Sequence, residues 1–186
     1  MYIRLQLFFM TVAYLFFIAP LTPPVSYADA ASWETLNEYK LEDTAKAVLT
    51  IDGKLQGKEL VKFDLIKLTQ LPSESFNVTH PLTKEVDRYA GISLKDILSN
   101  LGISSEATYI LVRASNNYKS AVRIKDINRF EYLLSYKKNN KFYDELPANQ
   151  NKGPLAIVIN FDKHPELDYD IYKHQLVWFV EKITVK

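Results

Sequence analysis

The chain reads as an α+β domain built from mixed, mainly antiparallel β-sheets with a few short helices. Three observations carry that expectation. β-Prone runs recur along residues 47 to 186, turn signals such as Asp52-Gly53 and Asn139-Asn140 separate several of them, and the intervening helical patterns are short and follow no βαβ rhythm. A doubly wound parallel sheet is disfavoured.

Residues 1 to 30 stand apart. Arg4 precedes an apolar run from Leu5 to Pro20, and Ala28-Asp29-Ala30 supplies small residues for a cleavage point, the pattern of a secretory signal peptide. Gln6 and Thr11 interrupt the run, which is shorter than the roughly 18 residues a membrane span needs. Cleavage after Ala30 is therefore expected, and with no cysteine after the cut there is no bacterial lipid anchor. The product is expected to be soluble, with an N-terminal arm over residues 31 to 46 and one domain over residues 47 to 186.

The formal charge of +1 offers no basic field, so nucleic acid is not expected as a partner. The chain has no cysteine. That excludes a thiolate metal centre, a cysteine nucleophile, disulfides and a thioredoxin-type pair together. With 47% hydrophobic residues, apolar burial alone can hold the fold.

In the arm, Trp33, Leu36, Tyr39 and Leu41 are spaced loosely, as in a segment packed through a few side chains. Val48-Leu49-Thr50-Ile51 predicts a strand, Asp52-Gly53 a tight turn, and Leu55 to Leu60 the returning strand. Asp64 is placed to cap a short helix carrying Leu65, Ile66 and Leu68, which Pro72 ends. Glu74 to His80 alternates, with Phe76, Val78 and His80 on one face, and stops at Pro81. The clearest helix runs from Ser93 to Leu101: Ser93 and Asp96 form a capping box, Leu94, Ile97, Leu98 and Leu101 share a face, and Gly102 closes the end.

Tyr109 to Ala114 and Tyr118 to Ile124 predict a second hairpin across Ser115-Asn116-Asn117, since Asn tolerates positive φ. Phe130 to Tyr136 predicts another strand, turning at Asn139-Asn140 into Lys141-Phe142. Leu155 to Ile159 is apolar without alternation, as in a central strand buried on both faces. In the terminal run from Leu176 to Val185, Val177, Phe179 and Glu181 alternate with Trp178, Val180 and Lys182. Asp168 and Asp170 lie in a charged stretch expected to be a solvated loop.

Four stretches, in their order over residues 45 to 186, carry a resemblance. They are Tyr89-Ala90-Gly91-Ile92-Ser93-Leu94 before the leucine helix, Ala114 to Tyr118, Gly153-Pro154-Leu155 opening the apolar run, and the terminal run from Tyr172 through Trp178 to Val185. Together they resemble the small exported members of the sulfite-oxidase-like, oxidoreductase molybdopterin-binding family. The resemblance implies that family's domain fold and, for its full enzymes, a pterin cofactor in a cleft of inter-strand loops with its molybdenum fixed by one cysteine. This chain keeps the loops and lacks the cysteine. It also has Ala156 where the full enzymes tend to carry an arginine, and Leu82, Asn117 and Gln175 near positions where small relatives often have tryptophan, aspartate and arginine.

What the resemblance then implies is a periplasmic protein that binds a pterin without molybdenum and modulates the exported domain of a membrane-bound signalling partner, with no chemistry of its own. Two other functions stay open: a molybdopterin-dependent oxidoreductase whose metal is held by the cofactor's dithiolene alone, and an interaction module with a degenerate pocket.

A pterin is a flat bicycle with a guanidine-like edge, so its receptor needs a ring or apolar face to stack on and an amide or carboxylate to pair with that edge. Trp178 offers the face, and equally fits a core position on the last strand. Asn117, Asn160, Asp162 or Gln175 offer the paired hydrogen bonds. Tyr118 follows the hairpin turn and could aim its hydroxyl at the same cleft, although tyrosines commonly just pack. Arg113 and Arg123 sit on strands where surface ion pairing outweighs ligand contact, and of the two Arg113 is kept as a candidate for the ligand. His80, at a strand end before Pro81, is a candidate for the cleft wall. With His164 and His174 it matches no standard metal spacing, and no metal is expected.

Overall fold

The structure, a computed structural model, describes residues 32–36, 39 and 46–186, which fall within one unit, Ala31–Lys186. The expected signal peptide and Leu41 lie outside the described residues. Among the described residues the chain forms two mainly antiparallel sheets and four short α-helices, a mixed α+β architecture.

The first sheet has the order β2 (Leu60–Phe63), β1 (Leu49–Gly53), β10 (Val180–Val185), β5 (Tyr109–Ala114), β6 (Lys119–Arg123). Its ladders are antiparallel except β1 beside β10, which run parallel with Ile51 opposite Ile183. Strand alternation sets its inner face. Leu49 and Ile51 of β1, Ile110, Val112 and Ala114 of β5, and Val122 of β6 are buried, while the residues between them are more exposed. Asn117 takes a φ of 69°, so the Asn-rich turn makes the β5–β6 hairpin as its composition predicts.

The second sheet runs β3 (Glu74–Thr79), β4 (Val86–Ser93), β7 (Tyr132–Lys138), β8 (Lys141–Phe142), with β9 (Ala156–Ile159) also paired to β7, all antiparallel. Asn139 and Asn140 both have positive φ, the geometry a two-residue hairpin requires. β9 is buried along its whole length, as expected of an apolar run without alternation. Its second edge bonds to an irregular segment: Ile157 N donates to the Val177 carbonyl at 2.8 Å, and Val180 N to the Leu155 carbonyl at 2.9 Å. That segment continues into β10, so residues 177 to 180 join the two sheets.

The helices follow their caps. α1 (Leu65–Gln70) begins where the Asp64 carboxylate accepts from Lys67 N at 2.7 Å. α2 (Leu94–Asn100) begins where Ser93 Oγ accepts from Asp96 N at 3.2 Å, and buries Leu94, Ile97 and Leu98. Gly102 beyond it has a φ of 70°. α3 (Ile124–Arg129) and α4 (Tyr169–Tyr172) complete the set. Of the arm, Leu36 is fully buried and Tyr39 stacks on Phe63 with ring centroids 5.6 Å apart, so these residues belong to the core. Burying a side chain of that size contributes about 1.5–3 kcal/mol.

Five local expectations need correction. The returning strand begins at Leu60 rather than Leu55, because Gly53 (φ 98°) lies against Val185 and the chain first carries Leu55 to a bridge with Ile103. Val86–Ser93 is a strand that composition did not announce, held by neighbours on both sides. β6 stops at Arg123 and the next strand starts at Tyr132, because α3 takes residues 124 to 129. The terminal alternation fails at its start, where Phe179 has a φ of 58° and the β10–β5 register shifts between Val180 and Lys182. Asp168 caps α4 by accepting from Asp170 N at 2.9 Å, so that charged stretch is a short helix.

Candidate functional site

β3 ends at Thr79, and the turn that follows is built around His80. The His80 carbonyl accepts from Lys84 N, His80 N donates to the Glu85 carbonyl, and His80 Nδ1 accepts from Leu82 N and Thr83 N at 3.3 and 3.2 Å. With Nδ1 used as an acceptor, the neutral ring carries its proton on Nε2. Across from this turn, Asp162 Oδ2 accepts from Thr79 N at 3.0 Å and Thr79 Oγ1 at 2.9 Å. That pair of bonds draws the loop after β9 against the end of β3.

The result is a hollow of 110 Å³ whose walls include His80, Asp87, Tyr89, Phe161, Tyr169 and Trp178. Asp87 and Tyr89 alternate along β4 and so share one face. Phe161 meets Tyr169 edge to face at 5.4 Å, which fixes one wall. Asp87 is charged and tethered: Lys138 Nζ lies 2.7 Å from one carboxylate oxygen, and Asn139 Nδ2 donates to the other at 2.9 Å. Burial pushes the Tyr89 phenol well above its ordinary range, and the charge of Asp87 and a hydrogen bond to it push the same way. Tyr89 therefore stays neutral and presents a ring.

Trp178 and Leu176 line this hollow and also a second one, of 230 Å³, which they share with Asn116 and Tyr118. The Tyr118 hydroxyl donates to the His174 carbonyl at 2.7 Å, and Asn116 Oδ1 accepts from Tyr118 N at 3.1 Å. Trp178 is partly buried on Ala156 and Val158, with Lys152 Nζ 5.9 Å from its ring centroid. The next residue, Phe179, is clamped in its positive-φ conformation. Its N–H donates to the Lys152 carbonyl at 2.8 Å, and its carbonyl accepts from Ser115 N at 2.9 Å. A bulky residue held there costs on the order of 1–3 kcal/mol and persists only where its surroundings enforce it.

Of the residues expected at a ligand, His80 and Trp178 meet at the first hollow and Tyr118 lines the second. Asp162 acts at one remove, through Thr79. The other four are occupied elsewhere. Arg113 pairs with Glu181 at 2.9 Å on the exposed face of the first sheet. Asn117 supplies the turn's positive φ, and its neighbour Asn116 faces the hollow instead. Asn160 is buried, with its amide donating to Glu131 at 2.6 Å and its side-chain oxygen accepting from Lys163 N. Gln175 is buried and accepts from the Tyr132 hydroxyl. Asp87, Tyr89, Phe161 and Tyr169 were not anticipated. Alternation along Asp87-Arg88-Tyr89 was the one signal for the first two.

A larger cleft of 470 Å³ has Tyr143, Gly153, Pro154 and Phe179 among its walls, and its rim runs through Lys46 and Ala47 at the boundary of the described residues. None of the expected ligand residues lines it.

A molybdenum cofactor does not fit these residues. The chain has no thiolate to give, and among the described residues no three His, Asp or Glu side chains are grouped to hold a metal ion. Neither hollow has a Lys or Arg among its lining residues, and Ala156 is fully buried in apolar surroundings.

No protein-family model matches the chain, and no curated protein matches its sequence. Among solved structures, the fold is similar to that of the sulfane dehydrogenase SoxCD from Paracoccus pantotrophus, with a TM-score of 0.56 and 12% sequence identity over 79% of this chain and 39% of that chain. The chain thus spans well under half the length of that protein. The two share a fold.

Proposed function

We propose that the protein binds a pterin without molybdenum and works as an exported, periplasmic binding module that changes the behaviour of a membrane-bound signalling partner. The observation that carries the reading is the aromatic hollow whose walls include Tyr89, Phe161, Tyr169 and Trp178 together with His80 and Asp87. Flat electron-poor rings stack on such faces, and a carboxylate suits a guanidine-like edge. The motif resemblance and the fold likeness to a sulfane dehydrogenase support a sulfite-oxidase-like architecture, while the absence of cysteine argues against metal-centred turnover. Binding and release are then the output. Among the described residues no helix is long and apolar enough to cross a membrane.

Thermal unfolding of the purified protein with tetrahydrobiopterin tests this directly. A ligand that binds the native state at 100 times its Kd stabilises it by about 2.7 kcal/mol, and the melting temperature rises accordingly. Trp178→Ala should abolish that rise. Unchanged melting with every pterin, oxidised or reduced, removes the reading, and so does stoichiometric molybdenum in protein isolated from its native host.

A further inference from the structure

The first hollow measures 110 Å³. A cavity of about 150 Å³ is what benzene occupies, so a fused bicycle cannot lie wholly within it. The second hollow, 230 Å³, shares Leu176 and Trp178 with the first. An occupant that stacks on Trp178 and is too large for the first hollow has Asn116 and Tyr118 beside the same two side chains.

We propose that Asn116 and Tyr118 form a second recognition subsite that reads a neutral, hydroxylated side chain on a flat heteroaromatic ring. This rests on the pterin reading and names which pterins it concerns. The chemistry of the subsite decides the class. The Tyr118 hydroxyl spends its proton on the His174 carbonyl, which leaves its lone pairs to accept. Asn116 spends its oxygen on Tyr118 N, which leaves its amide N–H groups to donate. One acceptor beside one donor suits a hydroxyl, which is both. No Lys or Arg is among the lining residues, and Lys152 Nζ lies 5.9 Å from the Trp178 ring centroid, so a phosphorylated probe belongs in the test.

The backbone places these groups deliberately. Ser115, immediately before Asn116, donates to the carbonyl of Phe179, immediately after Trp178. The turn that carries the polar pair and the segment that carries the stacking ring are thus one bonded unit, held at the strained Phe179 conformation.

The test compares three probes on the intact protein by calorimetry under reducing, anaerobic conditions: tetrahydrobiopterin, with a dihydroxypropyl chain; 6-methyltetrahydropterin, with a methyl group; and dihydroneopterin monophosphate. Tetrahydrobiopterin should bind more tightly than the methyl compound by about threefold to tenfold for each hydrogen bond made. Tyr118→Phe and Asn116→Ala should each cut that ratio by about the same factor, and the circular dichroism spectrum and melting temperature of each variant report that it is folded. Equal affinities in the wild type, a ratio the variants do not move, or tightest binding of the phosphate overturns the subsite and leaves pterin binding intact. Failure of all three probes overturns the pterin reading and the subsite with it.

Discussion

The hydroxyl of Tyr132 donates to the side-chain oxygen of Gln175 over 2.5 Å, and both side chains are buried. The bond staples the short 3-10 turn Lys173–Gln175 to the start of β7, and Leu176, the next residue, is a wall of both hollows. Tyr132→Phe leaves a buried amide oxygen without its donor, a loss of about 1–3 kcal/mol. Pairing it with Gln175→Leu removes both polar groups and should recover most of that loss. Urea unfolding of the two single variants and the double measures the coupling, and additive losses would show that the bond is not what holds the turn.

Gly91 faces a different constraint. A Cβ built there falls 2.1 Å from the Leu134 carbonyl oxygen and 2.5 Å from Ser135 Cα, both backbone atoms of β7, at the point where the β4–β7 register shifts. Backbone in a central strand cannot step aside as a side-chain end can. Gly91→Ala should destabilise by about 1–3 kcal/mol or more. Gly57→Ala is the contrast, because nothing lies within 4 Å of its Cβ and only its φ of 69° opposes the change. Denaturant midpoints of the two variants should differ with Gly91→Ala the lower.

Arg113 is ion-paired on the exposed face of the first sheet. Its guanidinium meets Glu181 at 2.9 Å with both side chains about half exposed, so the pair is screened and worth about 0–1 kcal/mol. Arg113→Ala should leave the Kd for tetrahydrobiopterin within twofold of wild type, as read by calorimetry. A tenfold loss would put the arginine at the ligand.

The parts of the fold legible in the sequence are those where one local rule decides. Ser93 with its leucines sets α2, and Asn117 and Asn139-Asn140 set two hairpins, because cap and turn geometry depend on a few adjacent residues. β4 was hidden because its burial comes from pairing with β3 and β7, which lie elsewhere in the chain. The candidate site divides the same way. His80 follows a strand end and Trp178 lies in the terminal run, and both line the first hollow. Phe161 and Tyr169 reach the hollow only through packing of a loop and a short helix. An amide has the same sequence appearance whether its partner is a ligand or another side chain, and in this fold Asn160 bonds Glu131 and Gln175 bonds Tyr132.

At Phe179 the usual ranking of residues should reverse. Ala ordinarily outperforms Gly in extended structure, but a φ of 58° burdens any residue with a Cβ by roughly 1–2 kcal/mol. Phe179→Gly and Phe179→Ala lose the same ring, so their difference isolates the backbone. The Gly variant should be the more stable by about 1 kcal/mol. If the Ala variant is equal or better, the strained conformation is not populated in solution.

Glu131 gives the acid limb of stability a specific origin. Burial opposes its ionisation, but hydrogen bonds from Lys163 and Asn160, then the charges of Lys163 and His164, outweigh burial and hold its carboxyl below the ordinary value of 4.5. A carboxyl whose folded value is depressed adds stability that is fully present above its unfolded value and is lost as pH falls through the folded one. The stability of wild type relative to Glu131→Gln should therefore stay level near neutral pH and shrink as the pH is lowered from about 5 to about 3. Burial opposes the ionisation of Asp52 too, but its bonds from Lys182 and Thr184 and the charge of Lys182 hold its carboxyl below the ordinary value, so the difference between the two proteins is the quantity to follow. Glu74 responds in the opposite sense: burial, then the charges of Asp96 and Glu131, raise its carboxyl, and Glu131→Gln removes the last of these. A gap that stays constant down to about pH 3 would mean that Glu131 holds the loop after β9 by hydrogen bonding alone, and that its charge contributes nothing.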